Sequence, residues 1–136
     1  MRSLGREFII IAILVCLGMG FSLATGRSPL PWAAPEIGPG EIRLIDAKAL
    51  DLIWVDARNE EDFAKAHIPE AILLNEENWD TGLINLMEAW LSIPRPMVIY
   101  CADASCGTSK KIAERLREAL PEAEIYTLKG GWESWE

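Results

Sequence analysis

A chain of 136 residues has room for one domain and little else. Its net charge of −8 excludes a nucleic-acid partner, since phosphate binding requires clustered Lys and Arg. Three cysteines, Cys16, Cys101 and Cys106, leave one pairing within the main domain, which excludes a disulfide-framework fold.

Charge and hydropathy divide the chain. Setting Arg2, Arg6, Arg27 and Glu7 aside from 13 basic and 21 acidic residues leaves residues 28–136 near −10. Such a body repels anions at long range. Phe8 to Ala24 is an uncharged apolar run of 17 residues, at the short limit for a spanning helix and suited to a signal-peptide core. Arg2 and Arg6 precede it, which predicts a cytoplasmic N-terminus and export of the rest; Arg27 weakens this bias without reversing it. Ser22-Leu23-Ala24 presents the small residues that a signal peptidase reads. Residues 1–25 are therefore expected to be a signal anchor that enters the membrane through residues 8–24. That places the domain on the periplasmic or cell-surface side, with secretion after cleavage as the alternative. Residues 26–40, with four prolines and flanking glycines, read as an extended linker containing Trp32.

Residues 41–136 alternate short apolar runs with helical patterns. Ile42–Leu44 is a brief strand candidate, and Asp46 is placed to cap a turn over Ala47–Leu50. Ile53–Val55 forms an apolar strand ending at Asp56. Asn59 caps a helix over Glu60–Ala66, with Phe63 as its inward anchor. Ala71–Leu74 is a third strand. Thr81–Leu91 carries Leu83, Leu86, Met87 and Trp90 at helical spacing and ends before Pro94. Met97–Tyr100 is a buried strand, Ser109–Leu120 a helix stopped by Pro121, and Ile125–Leu128 the last strand. The alternation predicts an α/β sandwich around a mainly parallel sheet.

The chemistry concentrates in Cys101-Ala102-Asp103-Ala104-Ser105-Cys106-Gly107-Thr108, a loop of small residues between a buried strand and a helix. Ligand sites in open parallel sheets lie beyond the carboxyl ends of the strands. A cysteine there faces a helix N-terminus, whose free N–H groups stabilise a thiolate. Small side chains let loop amides turn inward around an anion or a persulfide sulfur. The competing reading of Cys101 is an inert buried cysteine.

Four spaced motifs now make a specific resemblance. Val55-Asp56-Ala57-Arg58 with Phe63, His67-Ile68-Pro69-Glu70-Ala71-Ile72, Val98-Ile99-Tyr100-Cys101, and Leu128-Lys129-Gly130-Gly131-Trp132 with Trp135 resemble the rhodanese homology domain, in its order. The resemblance implies a three-layer α/β/α sandwich around a five-stranded sheet. It also implies that Cys101 accepts a sulfane sulfur as a persulfide and passes it to a nucleophile. Small sulfur species, a thiol acceptor or a protein thiol are then the partners, and no cofactor or metal is called for. By the same analogy His67 shapes a turn. Asp56 and Arg58, after a strand end, are expected to form a salt bridge that pins two loops, with hydrogen bonding to the active loop as the alternative. Gly130 and Gly131 are expected to admit the backbone close to the active loop, and Trp132 and Trp135 to pack the final helix before serving as a substrate platform.

The loop departs from the family pattern. Cys106 stands where relatives commonly carry arginine, and Ser109 best matches the helix-start serine, so the loop is about two residues longer. No Lys or Arg lies between Arg95 and Lys110, and Asp103 adds negative charge, which disfavours thiosulfate as donor. The longer loops of related phosphatases need an arginine where Gly107 stands, so a phosphate clamp is missing. Cys106 is placed to resolve a persulfide or sulfenate on Cys101 as a disulfide, or it is merely a small buried residue. Two thiolates do not complete a zinc site. Three readings follow: a sulfurtransferase working through Cys101, a catalytically silent binding module, and a dithiol–disulfide redox switch.

Overall fold

The computed structural model describes residues 2–24, 36–103 and 105–136. Residues 26–35 of the expected linker, including Trp32, and Ala104 of the active loop lie outside the described residues. The chain divides into one unit that ends at Glu36 and another over Ile37–Glu136.

The first unit is carried by helix α1 (Arg2–Ala24), on which Phe8, Ile9, Ile11, Leu14 and Leu17 are exposed. Among the described residues no helix is long and apolar enough to cross a membrane.

The second unit is built on five parallel strands: β1 (Glu41–Ile42), β2 (Ile53–Asp56), β3 (Ile72–Leu73), β4 (Met97–Tyr100) and β5 (Ile125–Leu128). They lie in the order β1-β5-β4-β2-β3, and each of the pairings is parallel. β4 sits at the centre, and all four of its side chains are buried, which explains an unbroken apolar run where a one-sided strand would alternate. The pleat still sorts them: Met97 and Ile99 enter one core, Val98 and Tyr100 the other. Burying each such side chain contributes about 1.5–3 kcal/mol.

Helices α4 (Trp79–Ser92) and α5 (Thr108–Ala119) supply Trp79, Leu86, Ile112, Ala113 and Leu116 to the first core. α2 (Leu44–Ala47), α3 (Glu60–Lys65) and a terminal 3-10 turn (Gly131–Ser134) cover the opposite face with Ala47, Phe63 and Trp132. This is the expected three-layer α/β/α sandwich. α4 lies close to the sheet because residue 82 is glycine: a β-carbon there would fall 2.7 Å from the Leu73 carbonyl oxygen.

The local expectations fail mainly at the ends of elements. Leu44 opens α2 instead of closing β1, and Asp46 does not cap a later turn. Its carboxylate instead takes the Arg43 Nε–H at 2.7 Å inside the first turn of α2. α4 starts at Trp79, two residues before the expected Thr81, because the bulky Trp79 side chain is drawn into the core. β3 is trimmed to Ile72–Leu73, and α5 begins and ends one residue earlier than Ser109–Leu120. Asn59 caps α3 as expected, its side-chain oxygen accepting the Asp62 N–H at 2.8 Å.

Candidate active site

Cys101 follows the last residue of β4 and is 5% exposed. Its carbonyl oxygen accepts the Trp132 N–H at 2.7 Å, and the Ala102 oxygen accepts the Glu133 N–H at 3.2 Å. These bonds clamp the start of the loop to the terminal 3-10 turn. Only glycine allows that approach: Gly130 and Gly131 hold φ of 84° and 58°, and a β-carbon on Gly131 would meet the Cys101 oxygen at 2.5 Å.

Cys101 and Cys106 are joined by a disulfide, with Cα atoms 6.1 Å apart. That separation lies inside the range a disulfide tolerates. The curl that brings the ends together is held by Asp103. Its carbonyl accepts the Cys106 N–H at 3.3 Å, and its carboxylate takes the Ser105 hydroxyl at 2.5 Å and the Ser105 N–H at 2.6 Å. Those hydrogen bonds, from the Ser105 side chain first and its backbone second, hold the Asp103 carboxyl below its usual range. The sequence led us to expect amides turned inward around a sulfur anion. The Ser105 amide is instead spent on Asp103, a short-range competition that small polar residues often win in loops. Gly107 is exposed and adopts a helical conformation just before α5, while Thr108, expected in the loop, is the first residue of that helix.

Asp56 and Arg58 form the expected salt bridge. Arg58 Nη2 and Nε reach the fully buried Asp56 carboxylate at 2.7 and 3.1 Å, and Nη2 also donates to the Ala66 oxygen at 2.7 Å. The guanidinium stacks on the Trp132 ring, 4.4 Å from its centroid. Burial alone would lower its pKa, but the paired Asp56 carboxylate outweighs burial and raises it. Arg58 is thus a buried brace between loops and not a free anion receptor. Beneath it, burial, reinforced by Asp56, pushes the Tyr100 phenol well above its ordinary pKa, and its oxygen accepts the Ile68 N–H at 3.2 Å. His67 has a structural place: it is exposed, stacks on Phe63 at 4.0 Å, and its Nδ1 contacts the Phe63 carbonyl oxygen at 2.8 Å. Trp135 packs edge-on against Trp54.

An open cleft of about 320 Å³ lies over Cys101 and Ala102. Its wall includes Arg58, Asn59, Asp62, Asn75, Glu76, Glu77 and Thr108. With Arg58 neutralised by Asp56, the carboxylates of Asp62, Glu76 and Glu77 set the sign of the mouth. Sequence reasoning missed this rim, and it missed Asn75. That buried amide donates to the Arg58 carbonyl at 2.9 Å and accepts the N–H groups of Glu77 and Asn78. The spacing Asn75-x-x-Asn78 before a helix was its one visible signal.

A separate small hollow of about 10 Å³ includes Asp103, Cys106, Ser109, Lys110 and Lys129 in its wall. Lys110 and Lys129 share the Glu41 carboxylate at 3.5 and 3.2 Å. The cations absent from the loop sequence are therefore supplied beside Cys106 by residues outside the loop. The structure thus brings Cys101, Ala102 and Thr108 to one cleft and Asp103, Cys106 and Gly130 to the neighbouring hollow.

A family model described as "Rhodanese-like domain" matches residues 42–136. Among solved structures, the BH2092 protein from Bacillus halodurans is 28% identical, with a TM-score of 0.53 over 70% of this chain and 69% of that one. The SSP1007 protein from Staphylococcus saprophyticus is 18% identical, with a TM-score of 0.53 over 71% and 92%. A protein from Lactobacillus plantarum is 20% identical, with a TM-score of 0.51 over 71% and 82%. The last two likenesses concern the fold alone. No curated protein matches the chain significantly.

Proposed function

The chain belongs to the rhodanese-like domain family, and from that premise we propose that it moves sulfane sulfur through a persulfide on Cys101, with Cys106 as the resolving thiol. The observation that carries this reading is the Cys101–Cys106 disulfide at the end of the central strand, with Cys101 lining a cleft. In the reduced protein the Cys101 thiolate attacks the outer sulfur of a polysulfide or low-molecular-weight persulfide. It forms Cys101–S–SH, and the donor leaves as a thiolate or a shortened polysulfide. An external nucleophile then takes the outer sulfur, or Cys106 attacks Cys101 Sγ, forms the disulfide and expels hydrosulfide. The acidic rim and the occupied Arg58 make thiosulfate a poor donor. The test is thiol reactivity of the reduced full-length chain. Cys101 should be alkylated much faster than free cysteine at neutral pH, whereas an inert Cys101 would favour a silent binding module.

The same disulfide favours one second reading, a dithiol–disulfide switch that carries no sulfur; it would cycle between the two states without ever holding a persulfide. For the address of the protein, Arg2 and Arg6 ahead of the uncharged run Phe8–Ala24, which is at the short limit for a span, favour a domain outside the cytoplasm, anchored by that run or released by cleavage after Ala24. A reporter that works only in the cytoplasm, fused after Glu136, should be silent; activity would overturn this topology.

A further inference from the structure

We infer that the disulfide is a two-sided junction: sulfur donors reach Cys101 from the larger cleft, and the reducing thiol attacks Cys106 from its own, partly exposed side. This inference rests on the reading that Cys101 is the sulfur-accepting thiol. Two observations carry it. Cys101 is 5% exposed, whereas Cys106 is partly exposed. Cys101 lines the cleft beside Arg58 and Thr108, whereas Cys106 lines the hollow beside Lys110 and Lys129.

A thiolate attacks a disulfide along the extension of the S–S bond, so the attacked sulfur must be open on the side away from its partner. Cys106 is the partly exposed member of the pair, so it is the one an external thiolate reaches. Lys110 and Lys129 are matched there by the carboxylates of Glu41 and Asp103, so access and not charge sets the direction of attack.

A thiolate of a dithiol reductant bonds to Cys106 Sγ, and the Cys101–Cys106 bond breaks with its electron pair on Cys101. The reductant's second thiolate then attacks its own sulfur in the mixed disulfide. The reductant leaves oxidised, and Cys106 is released as a thiolate that takes up a proton from solvent. A reaction that supplies reducing equivalents as a protein or small-molecule dithiol must therefore follow each resolved turnover. Cys101 emerges facing the donor cleft.

The test uses oxidised full-length protein and limiting glutathione, quenched by acid at successive early times, alkylated with a maleimide and mapped by mass spectrometry. Glutathione should be found on Cys106 with maleimide on Cys101, in about tenfold excess over the reverse adduct when extrapolated to zero time. An equal mixture, an excess on Cys101, or a disulfide that dithiothreitol opens without any glutathione adduct on Cys106 would overturn the inference. Sulfur loading of the pre-reduced protein is a separate assay. A Cys101 that accepts sulfur yet is reduced through its own sulfur sinks this inference alone.

Discussion

The carbonyl oxygen of Cys101 and the α-carbon of Gly131 meet so closely that a β-carbon at residue 131 would stand 2.5 Å from that oxygen. The contact lets the Trp132 N–H reach Cys101 and fixes the start of the reactive loop. Gly131→Ala combines this clash with a left-handed backbone and should lower stability by about 2 kcal/mol or more. Urea unfolding of the full-length protein measures it; a loss below about 0.5 kcal/mol would show that the turn yields freely.

Arg58 and Asp56 should behave as a buried pair. Arg58→Met leaves the Asp56 carboxylate buried and unpaired, at an expected cost of about 3–5 kcal/mol. Adding Asp56→Leu should restore much of that loss, because no buried charge then remains. If Arg58→Met costs little, or the double variant is no better, the pair is not the brace described.

The Asp103 clamp has a defined pH sign. Its carboxyl is held below the usual value of 3.8, chiefly by the Ser105 hydroxyl, so its contribution is fully present above that value and is lost as pH falls through the lower folded-state value. The Ser105 amide should therefore stay protected from hydrogen exchange at pH 5 and lose protection only below pH 3.8. Loss of protection above that pH would contradict the clamp.

Thiosulfate should react slowly compared with polysulfide, because carboxylates line the cleft and Arg58 is occupied. Cys106→Arg places a cation in the loop and should raise thiosulfate use by about tenfold or more. Robust thiosulfate turnover by the native chain, unchanged by that substitution, would show that loop charge does not select the donor.

Much of this site is visible in the chain itself. β4 is legible residue for residue because a buried parallel strand is a continuous apolar run, β5 is a similar run broken only by Thr127, and Pro94, Pro96 and Pro121 mark where helices stop. Cys101, the Asp56–Arg58 pair and Gly131 can be found because each sits in a local motif. The short elements are harder. β1 and α2 turn on whether Asp46 caps a helix or pairs with Arg43, and a single hydrogen bond decides that. Residues that reach the site through space leave no local mark. Lys129 arrives beside Cys106 because β5 lies next to β4, and Asn75 matters only once β3 lies beside β2 and the loop after it meets Arg58. The Asp103–Ser105 contact was readable in spacing, yet its use of a loop amide required the curled geometry.

Persulfide formation and its resolution can be followed in one experiment. Reduced full-length protein is given limiting polysulfide, sampled over time and mapped by mass spectrometry while released hydrosulfide is counted. A gain of about 32 Da, one sulfur atom, should appear on Cys101, then give way to the Cys101–Cys106 disulfide as about one hydrosulfide is released per chain; in Cys106→Ser the gain on Cys101 should persist. Sulfur found on neither cysteine, or on Cys106 alone, or a disulfide formed without hydrosulfide, would contradict persulfide transfer through Cys101.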